Sequence, residues 1–236
     1  MNLLARPDGN ITVPTRPWLA GLAGASLVLF VINTFLVATR PRLGFDLPLA
    51  LAVQRTAWGP VAAAMTATNA IAGWLQVLVG AVAILGLALW DRRAAWLAAI
   101  GAVANLWDSV VKLGLQRHRP TPDLVHVFSP VAGYSYPSGH AVFFTWLGLM
   151  AAFAGAPKLR SRYRPPVWLA AVLLVATACL GRVWVGAHWP SDVVGGVLLA
   201  TAWCAFVLWL PDRWLRQPSL GWLARLSRSR TDSTGP

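Results

Sequence analysis

Long apolar runs separated by short polar or basic segments are the feature that most constrains this chain. Of its 236 residues, 57% are hydrophobic and only 12% are charged, and the mean hydropathy is +0.57. A run of about 20 apolar residues can cross the hydrocarbon core of a bilayer, where the backbone must satisfy its own hydrogen bonds as a helix. The sequence therefore predicts an all-α protein, a six-span transmembrane helical bundle.

The spans divide the chain into three parts. We predict an N-terminal cytoplasmic segment at 1–17, a six-span domain at 18–210, and a basic, amphipathic and partly disordered C-terminal tail at 211–236. The spanning helices share length and apolar composition and are predicted at residues 18–38, 74–90, 94–111, 141–156, 167–184 and 192–210. Residues 47–54 suit an interfacial helix, and residues 59–73 either extend the second span or form a re-entrant segment.

The positive charge is interpreted as a membrane-topology signal. The net charge is +12, and most Lys and Arg residues lie between the apolar runs. We therefore expect no nucleic-acid partner. With six spans, the tails and the second and fourth loops carry more Lys and Arg than the opposite side does. The positive-inside rule then predicts a multi-pass plasma-membrane protein with both termini in the cytoplasm and the remaining loops outside.

A polar loop that ends in Pro137-Ser138-Gly139-His140 stands directly before the fourth predicted span. Ser138 is a favourable N-cap, so Gly139 and His140 are expected in the first turn of a helix. Free backbone N–H groups and the positive end of the helix dipole would then lie beside a histidine, which suits a phosphate-like anion. The same tetrapeptide also fits an ordinary turn, so this hypothesis depends on the residues that accompany it.

A pair of basic residues precedes this loop. Lys112 and Arg119 are seven residues apart, which predicts that they share one helix face until Pro120 ends the helix. Asn105 and Asp108 continue that face inward, and polar residues in a span are costly unless they face protein or a water-filled cavity. The alternative interpretation is structural, with an Asp108–Lys112 ion pair and Arg119 at the membrane interface.

An Arg, a His and an Asp follow at the end of the fifth span. His188 lies six residues after Arg182, and Asp192 lies four residues after His188. In the first turn of the sixth helix, Asp192 could accept from one imidazole nitrogen of His188 and leave the other as a nucleophile. Alternatively, His188 is an interface anchor and Asp192 is a helix cap.

Together, the three segments predict an active site at one membrane face. If the chain crosses the membrane six times, all three segments lie beside loops on the same side of the membrane. Cations, histidines, one carboxylate and helix N–H groups would meet there, a combination that suits phosphoryl transfer. Because no pair of carboxylates has metal-binding spacing, we expect neither a metal nor any other cofactor.

These segments resemble the three motifs of the type 2 phosphatidic acid phosphatase superfamily, which contains membrane lipid phosphatases and soluble haloperoxidases. They match in order and internal spacing from Lys112 to Asp192. Gly181 departs from the pattern, since the family usually has Ser at this place. The resemblance implies a hydrolase, a metal-independent lipid phosphate phosphatase that forms a phosphohistidine intermediate.

The resemblance also implies a role for each matching residue. His188 would be the nucleophile, Asp192 would orient it, and His140 would protonate the leaving oxygen and then activate water. The phosphate would be held by Lys112, Arg119, Arg182 and the N–H groups of Ser138 and Gly139.

The sequence defines the substrate only as far as a lipid phosphate or diphosphate. A polyprenyl diphosphate is the first expectation, because the predicted site faces outward; phosphatidate or phosphatidylglycerol phosphate is the alternative. A vanadate-dependent haloperoxidase is disfavoured by the six apolar spans. A non-enzymatic carrier of lipid phosphates is disfavoured by the complete set of nucleophile, acid and orienting carboxylate.

Overall fold

Helices account for all regular secondary structure in the described part of the chain, residues 16–128 and 130–210 of a computed structural model. Residues Arg16–Trp209 form one compact unit. The α-helices are α1 (Pro17–Thr39), α2 (Asp46–Arg55), α3 (Pro60–Ala70), α4 (Trp74–Trp90), α5 (Arg92–Gly101), α6 (Ala104–Leu115), α7 (Gly139–Met150), α8 (Arg164–Trp184) and α9 (Pro190–Trp209). The predicted amphipathic tail and nearly all of the predicted N-terminal segment lie outside the described residues.

Four helical segments are long and apolar enough to cross a membrane: α1, Arg92–Leu115, Ser161–Trp184 and α9. The pair α3 and α4 would supply a fifth span, although the two helices are bent by 92° at their break. The fourth span, predicted at 141–156, corresponds to the helical segment Gly139–Gly155, which falls in the shorter class of apolar helices. The structure thus supports an all-α membrane protein with four or five candidate spans and does not confirm the count of six.

The segment that the sequence left ambiguous, residues 59–73, forms α3 and the turn into α4. Glycine at position 73 has φ +56, a conformation that side-chain-bearing residues rarely adopt, so the chain can change direction there. α3 packs against α8, and it does not extend α4 as one straight helix. The predicted interfacial helix at 47–54 corresponds to α2, which also contacts α8.

α7 and α9 form the centre of the unit. Every side chain of α7 from Ala141 to Trp146 is buried, and α7 contacts α9, α8, α6 and α5. A helix that is apolar on all sides is stable when neighbours surround it, which matches this position. α9 packs against both α7 and α1.

Two glycines allow the first turns of α9 to approach the loop before α7. A Cβ atom on Gly196 would lie 2.6 Å from the Ser138 carbonyl oxygen, and one on Gly195 would lie 2.5 Å from the Tyr136 ring. Small residues permit this kind of close approach between membrane helices. The N-termini of α7 and α9 consequently lie side by side, which brings two of the three sequence motifs together.

Candidate active site

The residues predicted to form the site lie at the ends of helices or in the loops beside them. They are Lys112, Arg119, Ser138, Gly139, His140, Arg182, His188 and Asp192. His140 interacts electrostatically with Lys112, Arg182 and His188, and His188 interacts with Arg119, Arg182 and Asp192. The structure therefore gathers residues from all three motifs into one cluster.

Ser138 occupies the N-cap of α7, and Gly139 and His140 begin the helix as predicted. The backbone N–H of Ser138 donates to the Asp192 carbonyl oxygen at 3.0 Å, which corrects the expectation that this amide is free for phosphate. The Ser138 hydroxyl is instead buried with no partner among the described residues. An anion at this helix end could thus accept from that hydroxyl and from the N–H groups of the first turn.

Asp108 and Lys112 form an ion pair one helical turn apart, directly against the start of α7. A Cβ atom on Gly139 would lie 3.0 Å from Asp108 Oδ2 and 3.5 Å from Lys112 Nζ. Both interpretations of these residues are therefore compatible: the pair is structural, and it also holds an ammonium group beside the helix N-terminus. A side chain at position 139 would require the Asp108 carboxylate to shift by a few tenths of an ångström.

Arg119 does not share a helix face with Lys112, contrary to the prediction. α6 ends at Leu115, and Gln116 adopts the left-handed conformation with φ +52. The chain therefore leaves the helical path before Arg119, which lies in a segment without regular structure. The helix ends ahead of Pro120, whose ring was expected to stop it.

Backbone carbonyl groups hold the Arg119 guanidinium in place. Its Nη1 donates to the Ala187 carbonyl oxygen at 2.7 Å, and its Nε donates to that of Gly133 at 3.0 Å. The same Nη1 lies 3.1 Å from His188 Nε2. Because a guanidinium can only donate, this contact requires an unprotonated Nε2 and places the imidazole proton on Nδ1.

His188 is a buried, neutral imidazole. Burial, together with the nearby Arg182 and Arg119 guanidinium groups, lowers its pKa to about 3 despite the Asp192 carboxylate. Its Nδ1 lies 3.7 Å from Asp192 Oδ2, which is too long for a direct hydrogen bond. The Nε2 lone pair is thus presented toward Arg119, while the protonated Nδ1 faces the carboxylate.

Asp192 is held by a buried network that the sequence did not reveal. Its Oδ1 accepts from Arg117 Nη1 at 2.5 Å, and its Oδ2 accepts from the Trp189 N–H at 2.8 Å and from the Ser135 hydroxyl. The network fixes the carboxylate independently of His188. Arg117 is one of the basic residues between the apolar runs, yet its side chain is only 4% exposed.

The network continues to Asp46 at the start of α2. Arg117 Nη2 donates to Asp46 Oδ2 at 2.8 Å, and the Ser191 N–H donates to Asp46 Oδ1 at 2.9 Å. Asp46 is fully buried. No spacing rule connects these positions in the sequence, so only their burial and contacts identify them.

Arg182 lies in the last turn of α8 and is buried. Its Nη1 donates to Asn69 Oδ1 at 2.8 Å, whereas its Nε is buried with no partner in the described residues. Asn69 was not singled out by the sequence, because it lies in the ambiguous segment before the second predicted span.

Buried polar atoms without partners concentrate at the predicted site. Seven such side-chain atoms occur in the described part of the chain, and four are Ser138 Oγ, His140 Nε2, Arg182 Nε and His188 Nδ1. Native proteins leave few buried polar groups unpaired, and such groups often mark the place of a ligand. An oxyanion could accept from donors of this kind.

Comparison with known proteins gives a family and a fold. A model described as the PAP2 superfamily matches residues 93–216. A PAP2-type phosphatidylglycerolphosphate phosphatase from Bacillus subtilis has a similar structure, with a TM-score of 0.66 and 21% identity over 79% of this chain and 94% of that one.

Several relatives are also similar in sequence. An undecaprenyl-diphosphatase of Sulfolobus acidocaldarius is 35% identical over 31% of this chain and 32% of its own length. Phosphatidylglycerophosphatase B of Escherichia coli K12 is 34% identical over 34% and 30%. The chain thus spans about a third of these relatives. Decaprenylphosphoryl-5-phosphoribose phosphatase of Mycobacterium tuberculosis H37Rv is 36% identical over 57% of this chain and 70% of its own length.

Proposed function

Because this chain belongs to the PAP2 superfamily, we propose that it is a membrane phosphatase that removes the terminal phosphate of a lipid phosphate or diphosphate. The observation that carries the proposal is the set of buried, unpaired polar atoms Ser138 Oγ, His140 Nε2 and Arg182 Nε. The ammonium group of Lys112 lies close to the same helix end. A bound phosphate would complete the hydrogen bonding of this cluster.

The geometry suits a two-step transfer. His188 Nε2 attacks phosphorus, and the bond from phosphorus to the leaving oxygen breaks as His140 donates a proton to that oxygen. Water then attacks the phosphohistidine, gives a proton to His140 and releases phosphate with the nitrogen of His188 free again. Lys112, Arg119 and Arg182 stabilise the charge on the equatorial oxygens.

Asp192 acts on His188 through the negative charge of its carboxylate. The carboxylate is fixed by the Arg117, Trp189 and Ser135 contacts. It favours the tautomer with the proton on Nδ1 and stabilises the positive charge that the ring acquires on phosphorylation.

An apolar cavity supports a lipid substrate. A cavity of about 540 Å³ lies between α1, α6 and α9, and its lining includes Phe30, Trp107, Val111 and Leu199. Val111 precedes Lys112 in α6. A groove of this composition suits a hydrocarbon tail whose head group is held at the polar end of α6.

A polyprenyl diphosphate is our first choice of substrate, because an outward-facing site in the plasma membrane suits that class. Phosphatidate or phosphatidylglycerol phosphate is the second choice. We also propose that no metal is needed, since three cationic side chains supply positive charge at the phosphate.

Phosphate release from a panel of lipid phosphates in detergent, with excess EDTA, tests this function. We expect wild-type turnover in EDTA and a loss of several orders of magnitude in His188→Ala. His140→Ala should slow turnover by roughly 10²–10⁴-fold. His118→Ala is the matched control, because this exposed histidine matches none of the motif positions.

The intermediate can be trapped separately. Rapid quenching with a ³²P-labelled substrate should give an acid-labile, base-stable phosphoprotein in the wild type and none in His188→Ala. Activity that EDTA abolishes and magnesium restores would refute the metal-independent mechanism. Binding of lipid phosphates without release of phosphate would favour a carrier instead.

A further inference from the structure

Asn69 of α3 contacts one residue of the candidate active site. Its Oδ1 accepts from Arg182 Nη1 at 2.8 Å. Asn69 lies outside residues 93–216, the part of the chain that the family model matches. Its position depends on the 92° bend between α3 and α4, which directs the end of α3 toward α8.

The hydrogen bonds fix the orientation of the Asn69 amide. Its Nδ2 donates to the Met65 carbonyl oxygen at 2.9 Å, while its Oδ1 faces the Arg182 guanidinium. A carbonyl can only accept and a guanidinium can only donate, so the opposite orientation would lose both bonds. A neutral amide thereby holds Arg182 without neutralising its charge, and the buried Arg182 Nε stays available to an anion.

Gly181 leaves space for this amide. A Cβ atom on Gly181 would lie 2.8 Å from Asn69 Nδ2 and 3.3 Å from the Met65 carbonyl oxygen. The first distance is shorter than real Cβ contacts, so a side chain at position 181 and the amide of Asn69 cannot both keep these places. Gly181, which departs from the resembled motif, is therefore what allows the Asn69 amide to occupy this place.

We propose that Asn69 is a positioning residue for substrate phosphate and that its amide takes the place of the serine side chain usual at position 181. It holds the Arg182 guanidinium so that Nε faces the phosphate. This inference rests on the proposed phosphatase function, since it assigns Arg182 to the substrate. It makes α3 part of the phosphate site.

Asn69→Ala provides the first test. We expect KM and the Ki for vanadate, a phosphate mimic, to rise together by about tenfold or more, because Arg182 loses its charge-assisted hydrogen bond. The melting temperature should fall modestly, because Arg182 and the Met65 carbonyl oxygen each lose a partner. Thr66→Ala is the matched control, since Thr66 lies exposed on the same helix and bonds only to the Ala62 carbonyl oxygen among the described residues.

Asn69→Asp separates positioning from packing. The substitution preserves size and the acceptor for Arg182, but it loses the donor to the Met65 carbonyl oxygen and adds a negative charge beside Arg182 and the bound phosphate. The proposal therefore expects a larger rise in KM and in the vanadate Ki than in Asn69→Ala. A residue with a packing role only would lower the melting temperature in both variants and leave the vanadate Ki of the folded protein unchanged.

Rescue at position 181 gives the decisive comparison. In the Asn69→Ala background, Gly181→Ser should restore much of the affinity, because a hydroxyl replaces the missing acceptor, whereas Gly181→Ala should not. In the wild-type background, both changes at Gly181 should raise KM by displacing Asn69. The effects of Asn69→Ala and Gly181→Ser on KM should therefore be strongly non-additive.

The outcomes separate this inference from the proposed function. Wild-type values of KM and vanadate Ki in Asn69→Ala, or equal behaviour of the two double variants, would overturn the inference while leaving the phosphatase intact. Absence of lipid phosphate hydrolysis by the wild type would overturn both. If Asn69→Ala does not accumulate, Gly181→Ala tests the same contact, since displacement of Asn69 should raise KM at unchanged protein level.

Discussion

At the residue scale, the Arg117 guanidinium lies between the carboxylates of Asp46 and Asp192. Arg117 and Asp46 pair at 2.8 Å, and their side chains are 4% and 0% exposed. Replacing Arg117 with Met should destabilise the protein by about 3–5 kcal/mol, because buried carboxylates lose their counter-charge. Unfolding in detergent by SDS titration or heat measures the change.

Arg55→Met is the control for that substitution, since Arg55 is exposed at the end of α2. We expect its stability to stay within about 0.5 kcal/mol of the wild type. Equal stability of the two variants would show that the Asp46–Arg117–Asp192 network contributes little.

Asp108 is expected to act through Lys112. Asp108→Asn removes the carboxylate that pairs with the ammonium group. KM should rise several-fold, because Lys112 is no longer held toward the start of α7, while the phosphohistidine should still form. Steady-state kinetics with phosphoenzyme trapping measures both effects. A variant with normal KM and normal thermal stability would show that the pair is incidental.

At the scale of elements, the site depends on the close approach of α7 and α9. A Cβ atom on Gly196 would meet the Ser138 carbonyl oxygen at 2.6 Å and the Ala141 Cβ at 2.8 Å. Gly196→Ala should therefore cost about 1–3 kcal/mol of stability. It should also lower activity, because it separates Ser138 from Asp192. Unfolding and phosphate release measure the two effects.

Gly114→Ala in α6 is the matched control, since its Cβ would have nothing within 4 Å. An added methyl group there should leave activity unchanged and favour the helix slightly. Full activity and stability in Gly196→Ala would contradict the close approach of the two helices.

At the scale of the whole molecule, the main prediction concerns which membrane side the site faces. We expect the loop after α6 to lie outside the cell and the segment before α8 to lie in the cytoplasm. Single cysteines at Thr121 and Ser161, both exposed, should be made in a background without Cys179 and Cys204. An impermeant thiol reagent should label the Thr121→Cys variant in intact cells.

The Ser161→Cys variant should react only after the cells are permeabilised. The reverse pattern would place the site in the cytoplasm and remove the main reason for preferring a polyprenyl diphosphate. The charge contrast is larger than the sequence suggested, because Arg117, which lies on the predicted outward side, pairs with Asp46 and Asp192 and is no free topology charge.

The sequence by itself determined the all-helical membrane class, and it predicted the motif residues that the structure brings together in the candidate site. Both depend on local information: the length of apolar runs, and residue types at fixed short spacing. The predicted helix at 74–90 matches α4 to the residue, and Ser138 occupies the N-cap position of α7 as expected, although its hydroxyl makes no capping hydrogen bond. Local rules were wrong where the helix ended early, since Gln116 turns the chain before Arg119.

The tertiary structure alone decided which other residues support the site. Arg117 and Asp46 are 71 residues apart in the chain, and Asn69 and Arg182 are 113 apart. Such pairs form because burial requires each polar group to find a partner wherever the fold provides one. The space that Asn69 fills beside Gly181 likewise depends on how α3 packs against α8, which no local periodicity specifies.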